Sequence, residues 1–351
     1  MQSKTGGRIF STHFEGSPIE LGAQFLIGGE KNPLSPLCNL ANVKRAKEFR
    51  RGSTMKLLRE LSYNAICREV DSDDMGSCGQ TDYQHDDVCL GSLENVIQHM
   101  TSLLESDQCI TTIMRNQTVS GIVSDQGKGT VFTVGGDAFE ASYILSTIPA
   151  GVLQVSSSVF QEPALPYPVQ LAIESLDVVK ASIVHLHTNL SIADSYYTIP
   201  IDIGLPGETT VDLLNVHSFT GNHIVVLQAN HEVSAILEYL TESEVIRVLV
   251  GGIQKHFKTN VQVNKSLISH WGKNPYTLGA YTKLSSCSTP SDRATLRQPI
   301  GGRIVLAGEW LASRNPGTIH GAYQSGLEQA TLLIEDGFEQ ADSQCDCESL
   351  L

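Results

Sequence analysis

The sequence is short of basic residues and of long apolar runs, and each shortage excludes a class of protein. Its 351 residues hold 24 Lys and Arg against 38 Asp and Glu, a formal net charge of −14. This balance excludes non-specific binding to nucleic acid, which needs a basic surface to neutralise phosphates. No apolar run reaches the roughly 18 residues of a membrane span, so we expect no membrane segment. An acidic surface instead attracts cations, polyamines among them.

Several signature motifs are also missing. The chain contains no P-loop, GxSxG or HExxH, which removes the usual signs of a nucleotide-phosphate cradle, a serine hydrolase and a zinc protease. Its eight cysteines are irregularly spaced and form no CxxC pair. In a chain of this length that pattern predicts reduced thiols and a cytoplasmic protein. Three Asn-x-Ser/Thr sequons, at Asn116, Asn189 and Asn264, point weakly to the secretory pathway instead.

What is present is an ordinary globular composition with mixed periodicity. Hydrophobic residues make up 41% and charged residues 18%, which suits two domains of about 150 residues each. Apolar spacing predicts a helix over 92–105, a capping box at Thr241 and Glu244 starts a helix ending near Phe257, and a third helix runs from about Thr318 to Glu335. Strands are expected at Arg8–Gly28, Thr130–Val134, Tyr143–Ile148, Ala181–His187, Val261–Trp271 and Arg303–Ala307. The alternation predicts an α/β (α+β) protein.

Two neighbouring segments carry charge of opposite sign. Leu34–Tyr63, which we expect to be helical, contains a run of basic residues, whereas Glu69–Asp87 has seven acids and no Lys or Arg. The acidic segment predicts a solvated loop. Four side chains at or just after its end are of types that bind metals: His85, Asp86, Asp87 and Cys89. No zinc-like spacing accompanies them, so we predict no metal site.

Four separated segments carry motifs in a fixed order. They are Lys4–Ile9 with Glu20–Phe25, Ser146–Leu153, His270–Tyr281, and Ala307–Glu309 with Gly317–Gly326. Together they resemble the FAD-dependent amine oxidases, most of all the spermine and N1-acetylpolyamine oxidases and, second, the histone-lysine demethylase branch. The resemblance implies the fold of that family, FAD as cofactor, and a small polyamine and O2 as reactants. The charge and the lack of long apolar runs predict no nucleic-acid or membrane partner, and the oligomeric state stays open.

The resemblance also implies a set of cofactor-binding residues. Glycines let the backbone approach a bulky cofactor, and a helix starting near Thr318 directs its positive end at the flavin. In the family, residues at the Arg8 and Glu309 positions contact FAD, a backbone at the Val119 position contacts adenine, and Lys4 stands where an Arg is usual. The full implied set is Lys4, Gly6, Gly7, Arg8, Gly22, Ala23, Val119, Trp271, Gly308, Glu309, Thr318 and Ile319.

Three residues are implied to be catalytic. Lys180 aligns with a family lysine that holds a water near the flavin, although by itself it reads as a surface lysine at a strand edge. Tyr281 and Thr318 match the pair that flanks the substrate amine. The implied reaction transfers hydride from the carbon beside the amine to flavin N5. Hydrolysis of the imine then gives an aldehyde and an amine, and O2 yields H2O2.

The sequence departs from the family in one major respect. It contains no GxGxxG, the turn that normally opens the FAD domain and binds the diphosphate. We therefore expect an incomplete FAD domain at 1–38, 88–150 and 262–338, a substrate domain at 39–87 and 151–261, and a flexible tail at 339–351. Two alternatives stay open: a truncated, catalytically impaired isoform, or a non-enzymatic binding protein of the amine oxidase and histone demethylase family.

Overall fold

A computed structural model describes residues 4–49, 86–89, 91–106, 112–125, 127–192, 198–205, 209–217, 221–283, 290–312 and 315–337. The chain forms two compact units from discontinuous segments. Unit 1 comprises Met1–Gly7, Val96–Asp177 and Lys283–Leu351, and unit 2 comprises Arg8–Asn95 and Val178–Thr282. The predicted assignment of an FAD domain and a substrate domain stays a prediction, because compactness alone does not show which ligand a segment binds.

Helices and strands alternate along the described residues. The strands are β1 (Ser11–Phe14), β2 (Ser17–Glu20), β3 (Phe25–Ile27), β4 (Arg45–Phe49), β5 (Asp86–Cys89), β6 (Val119–Ser124), β7 (Gly129–Thr133), β8 (Ala138–Ala141), β9 (Ile144–Ser146), β10 (Phe160–Glu162), β11 (Asp177–Val179), β12 (Ser182–Thr188), β13 (Thr198–Asp202), β14 (Thr210–Asn215), β15 (Ile224–Ala229), β16 (Val263–His270), β17 (Tyr281–Lys283) and β18 (Ile304–Leu306). The α-helices are α1 (Ser35–Leu40), α2 (Glu94–Ser106), α3 (Ala150–Ser156), α4 (Tyr167–Glu174), α5 (His231–Leu237), α6 (Glu242–Phe257), α7 (Pro290–Leu296) and α8 (Ile319–Gly337). Within the described ranges, no helix is long and apolar enough to cross a membrane.

A five-stranded antiparallel sheet organises unit 2. Its strands lie in the order β13-β14-β15-β12-β16. Ser182 of β12 pairs with Ala229 on one side and His270 on the other. The strands predicted at Ala181–His187 and Val261–Trp271 are therefore confirmed. They place the chain that follows Lys180 against the segment that leads to Trp271.

Helix α6 covers the core of this sheet. Its apolar side chains at four-residue spacing, Val245, Leu249 and Ile253, are fully buried. Thr241 accepts from the backbone N–H of Glu244, whose carboxylate accepts from the backbone N–H of Thr241, so the predicted capping box is present. A helix with this start and this apolar stripe is determined locally, which explains why its bounds agree with the sequence prediction.

In unit 1, two short parallel strands lead into the longest described helix. Leu306 of β18 pairs with Ser146 of β9, and the Ala307 N–H donates to the Ser146 carbonyl at 2.9 Å. The two strands therefore end at the same edge, and the turn after β18 leads to α8. A four-stranded sheet in the order β10-β6-β7-β8 belongs to the same unit. The carboxyl edge of parallel strands beside a helix start is a common ligand-binding position in α/β proteins.

The predicted helix over Leu34–Tyr63 is confirmed at Ser35–Leu40 and wrong at Arg45–Phe49. Helix α1 ends at Leu40, because Asn42 adopts a left-handed backbone (φ 53°) that stops a helix. The next described residues form strand β4, which pairs with β5. Residues 50–85, which hold the rest of this segment, lie outside the described residues.

The predicted acidic loop is also wrong where it can be followed. Asp86 and Asp87 belong to β5, the central strand of an antiparallel sheet in the order β3-β5-β4. Val88 and Cys89 of that strand are buried, so pairing and burial override the local charge. His85 lies outside the described residues. Within those residues, no group of three or more metal-ligating side chains comes together.

Candidate functional site

Several predicted cofactor residues of unit 2 are in direct contact. The Arg8 carbonyl accepts from the Ala23 N–H at 3.0 Å. A Cβ at Gly22 would lie 2.0 Å from that same carbonyl oxygen and 3.2 Å from Cζ2 of Trp271. The buried Trp271 indole N–H donates to the Leu21 carbonyl at 2.9 Å. Only glycine fits between these groups, so the close packing explains why this residue type stands at position 22.

The Arg8 side chain links this group to two predicted catalytic residues. Its Nη1 donates to the Ala280 carbonyl at 3.0 Å, and the Ala280 N–H donates to the Val179 carbonyl at 2.8 Å. Tyr281 and Lys180 directly follow those two residues, at neighbouring chain segments. The fold of unit 2 thus brings together the chain segments that carry Arg8, Lys180 and Tyr281, which lie up to 273 positions apart in the sequence.

Lys180 is fixed by groups that the sequence analysis did not identify. Its Nζ lies 3.5 Å from Oε2 of Glu238, whose side chain is only 5% exposed. The other carboxylate oxygen, Oε1, accepts from the Gly272 N–H at 3.0 Å. The backbone N–H of Lys180 donates to Nδ1 of His231 at 3.0 Å. Lys180 therefore makes an ion pair and a backbone hydrogen bond, while its side chain is 36% exposed.

The contacts of Glu238 restrict its neighbour as well. A Cβ at position 272 would lie 2.4 Å from Oε1 of Glu238, so the approach of the carboxylate needs Gly272. Because that carboxylate faces a backbone donor on one side and an ammonium on the other, its negative charge is compensated within unit 2. No sequence pattern marks Glu238 or His231, since both reach Lys180 only through the tertiary fold.

The predicted residues of unit 1 meet at the start of α8. Oε2 of Glu309 accepts from the Gly317 N–H at 2.9 Å. The next residue, Thr318, accepts at Oγ1 from the Gly321 N–H at 3.0 Å and so caps the helix that begins at Ile319. A buried carboxylate and a helix N-terminus therefore lie side by side. Thr318 acts in the structure as an N-cap, and its implied contact with substrate stays a prediction.

Gly308 has a backbone that few other residues adopt. Its φ is 145°, its N–H donates to Oγ of Ser325 at 3.1 Å, and a Cβ there would lie 2.7 Å from Nε1 of Trp310. The turn after β18 therefore depends on glycine at this position.

The other predicted cofactor residues of unit 1 lie in exposed segments. Gly6 (φ 107°) and Gly7 (φ 58°) have conformations that favour glycine, and Lys4 precedes them on the surface. Val119 begins β6, pairs with Thr133, and is about one-third exposed. The structure gives the backbone of each residue, and their contacts with a cofactor stay predictions.

Comparison with known proteins assigns the family. The model of the flavin containing amine oxidoreductase family matches residues 77–334. The chain belongs to this family, and the resemblance drawn from its motifs is confirmed. Polyamine oxidase 4 of Oryza sativa subsp. japonica is 29% identical over 223 residues, which cover 62% of this chain and 44% of that protein. Lysine-specific histone demethylase 1 homolog 2 of Arabidopsis thaliana is 26% identical over 220 residues, covering 59% and 29%. The chain spans less than half the length of these relatives.

Solved structures agree on the fold. Wild-type putrescine oxidase bound to putrescine superposes with a TM-score of 0.71 at 15% identity, over 95% of this chain and 92% of that chain. A redesigned double mutant of putrescine oxidase gives a TM-score of 0.69 at 14% identity, over the same shares of the two chains. These matches confirm the predicted α/β (α+β) architecture of the FAD-dependent amine oxidases.

The cofactor that this family implies is FAD, and unit 1 contains groups that fit part of it. At the ends of β9 and β18, the hydroxyl of Ser146 and the indole N–H of Trp310 are buried, and within the described residues neither makes a hydrogen bond. Nε and Nη2 of the buried Arg293 are also without a hydrogen bond within the described residues. Buried polar groups normally have partners, so a polar ligand that accepts hydrogen bonds suits this edge of unit 1.

Proposed function

We propose that this chain carries out FAD-dependent oxidation of a polyamine such as spermine or an N-acetylpolyamine. The observation that carries the proposal is the ion pair of Lys180 with the buried Glu238, connected through Val179 and Ala280 to Tyr281. Family membership supports amine oxidation, and several relatives are named polyamine oxidases. The net charge of −14 supports a polycationic substrate, because it raises the local concentration of cations.

Oxidation of a secondary amine removes two electrons and two protons from a carbon–nitrogen bond and gives an imine. Water adds to the imine and releases an aldehyde and a shorter amine. One O2 takes up the two electrons and two protons and becomes H2O2. FAD, when bound, supplies the hydride acceptor for this chemistry.

The residues of unit 2 would act by orientation and by holding protons. Lys180 can donate hydrogen bonds from Nζ to a water, since Glu238 occupies only one side of the ammonium. Tyr281 is 40% exposed, so an amine can approach its ring, whose face attracts a cation. Arg8 fixes the segment that carries Tyr281 through its bond to the Ala280 carbonyl. These three residues would thus set the position of water and substrate.

The test begins with the visible absorption spectrum of the purified, desalted chain after incubation with FAD. The proposal expects about one bound flavin per chain and peroxide release with spermine or N1-acetylspermine. Lys180→Met should lower the rate by about 10²-fold, the lower end of the range for proton-handling groups. Lys255→Met is the matched control, because Lys255 also pairs with a carboxylate, that of the exposed Asp202, at 2.9 Å.

Each outcome decides between the proposal and its alternatives. A chain that binds flavin but releases no peroxide with either amine contradicts the proposed activity. A colourless chain that stays colourless with FAD favours a catalytically impaired form or a non-enzymatic binding protein. An equal loss of rate in Lys180→Met and Lys255→Met would remove Lys180 from the proposed machinery.

A further inference from the structure

Lys180 is held at two points by one short helix of unit 2. Helix α5 begins at His231 and is followed directly by Glu238, which keeps a helical backbone (φ −66°, ψ −20°). The Lys180 backbone N–H donates to Nδ1 of His231 at 3.0 Å, and the Lys180 ammonium lies 3.5 Å from Oε2 of Glu238. The lysine therefore runs along α5, with its backbone at the start of the helix and its ammonium at the end.

A third bond joins the same two segments. The Ser182 N–H donates to Oγ of Ser234 at 2.8 Å, and both serines are fully buried. Along α5, His231, Ser234 and Glu238 are spaced by three and four residues, so their side chains lie on one face of the helix. These three side chains form the polar stripe of α5, and each of them contacts the segment that carries Lys180.

The position of this stripe is determined within unit 2. Val233 and Leu237 of α5 are fully buried in the core of the five-stranded sheet. The Asn230 side chain caps the helix by accepting from the Val233 N–H at 2.9 Å, and the Ser234 hydroxyl donates to the Ala229 carbonyl at 3.1 Å. A helix anchored by core packing and a cap is a rigid support for the groups that it holds.

The two members of the ion pair differ in exposure. The Glu238 side chain is 5% exposed and its Oε1 accepts from the Gly272 N–H at 3.0 Å, whereas the Lys180 side chain is 36% exposed. The carboxylate is thus fixed in the interior, and the ammonium extends from it toward solvent with N–H groups left for a further partner. The buried carboxylate therefore decides where the exposed ammonium lies.

We propose that Glu238 and His231 are positioning residues that act on the oxidation of the amine only through Lys180. The inference rests on the proposed function, in which the Lys180 ammonium holds a water. Glu238 keeps this ammonium charged and oriented, and His231 keeps the backbone of Lys180 in place on α5. Because both residues act through the lysine, their removal should lower kcat and leave KM nearly unchanged.

The first experiment is a double-mutant cycle on the rate of peroxide release. Glu238→Gln keeps the size of the side chain and an oxygen that can accept from the Gly272 N–H, but removes the charge that faces Lys180. It should lower kcat about tenfold and change KM by less than about twofold. In the Lys180→Met chain, the same substitution should change kcat by less than about twofold, because the group that it positions is gone. Equal losses in the two backgrounds would overturn the inference.

Two further variants control this cycle. Glu232→Gln removes the same charge from an exposed position of the same helix and should leave kcat unchanged. His231→Asn offers an oxygen that can accept from the Lys180 N–H, so it should keep more of the rate than His231→Leu, which offers no acceptor. Equal rates in the two His231 variants would overturn the part of the inference that concerns His231.

A second measurement needs neither FAD nor substrate. Acetic anhydride modifies the uncharged form of a lysine, so an ion pair that keeps the ammonium charged protects it. By mass spectrometry of peptides, Glu238→Gln should raise the labelling of Lys180 at least about threefold relative to Lys255, which pairs with Asp202. Glu232→Gln should leave this ratio unchanged. An unchanged ratio in Glu238→Gln, or an equal rise at both lysines, would overturn the inference.

The two measurements distinguish this inference from the proposed function. A labelling change at Lys180 without peroxide release keeps Glu238 as the residue that positions the lysine and removes the proposed activity. Peroxide release with the same kcat in the parent chain and in Glu238→Gln keeps the activity and removes the inference.

Discussion

The two units treat their charged groups in opposite ways. In unit 2, the Lys180 ammonium faces a carboxylate that a backbone N–H also binds. In unit 1, Nε and Nη2 of the buried Arg293 make no hydrogen bond among the described residues. The ion pair of unit 2 is therefore held from two sides, whereas two nitrogens of the buried arginine in unit 1 have no hydrogen bond within the described ranges.

The largest expected effect tests this contrast directly. Lys180→Met leaves the buried Glu238 carboxylate without its cation and should lower the free energy of unfolding by about 2 kcal/mol, less than for a fully buried pair, because the Lys180 side chain is 36% exposed. Arg293→Met should lower it by less than Lys180→Met, because Nε and Nη2 of Arg293 make no hydrogen bond among the described residues. Urea denaturation of the ligand-free variants measures both values.

Lys255→Met is the control for this pair of variants. Its ion pair with Asp202 is exposed, so the loss should stay below about 1 kcal/mol. Equal losses in the Lys180 and Arg293 variants would contradict the contrast between the units.

Acid should act mainly on unit 2. Burial lowers the pKa of His185 to about 4 from an ordinary value of 6.5. Between pH 6.5 and pH 4, His185 is protonated in the unfolded chain and neutral in the folded chain. The free energy of unfolding therefore decreases as the pH falls from 6.5 toward 4. At pH 5 the loss should reach about 2 kcal/mol, and His185→Leu should remove it. Hydrogen exchange should show the loss of protection in unit 2, and an equal slope in the variant would refute the assignment.

A second group of unit 2 titrates in the opposite direction. Burial raises the pKa of Glu20 to about 7, although its carboxylate accepts from the Leu93 N–H at 2.8 Å and the Ser11 hydroxyl at 2.7 Å. Here the folded chain holds the proton more tightly, so the stability present below pH 4.5 is lost as the pH rises through 7. Between pH 6 and 7 the loss should be about 1 kcal/mol.

Glu20→Gln should flatten that alkaline slope. The control is Glu174→Gln, at an exposed carboxylate of unit 1, which should keep the slope of the parent chain. Thermal unfolding across the pH range measures both, and a Glu20→Gln variant with the full slope would exclude Glu20 as its source.

The sequence predicts some of these features because their causes are local. Helix α6 follows from the capping box at Thr241 and an apolar stripe, and both ends agree with the structure. The motif segments identify the family because each motif consists of glycines or aromatic residues at positions close together in the chain, which can be recognised without the tertiary structure. The sequence predicts a helix where strand β4 lies, and this prediction is wrong. The charged segment is extended because it pairs with β5, which lies far from it in the sequence.

The charged partners of the candidate site could not be predicted in the same way. Glu238 lies 58 positions from Lys180 in a segment with no motif, and the two meet only when β12 and the chain after α5 are in place. Arg293 stands in an ordinary polar helix, and its burial depends on how α7 packs against α4 and the turn after β18. Local patterns carry information on helices and motifs, but the compensation of a charge is a property of the tertiary structure.

The smallest expected effect compares a helix cap in each unit. Thr241→Ala removes the cap of α6, and Thr318→Ala removes the cap of α8, so each should lower the free energy of unfolding by about 1 kcal/mol. The difference should appear on adding FAD, because the family resemblance implies that the start of α8 is directed at the cofactor, whereas α6 packs on the core of unit 2. Thr318→Ala should then weaken FAD binding, whereas Thr241→Ala should not. Thr318→Ser keeps the cap and should restore the affinity, and equal FAD affinities in the two alanine variants would show that α8 has no part in holding the ligand.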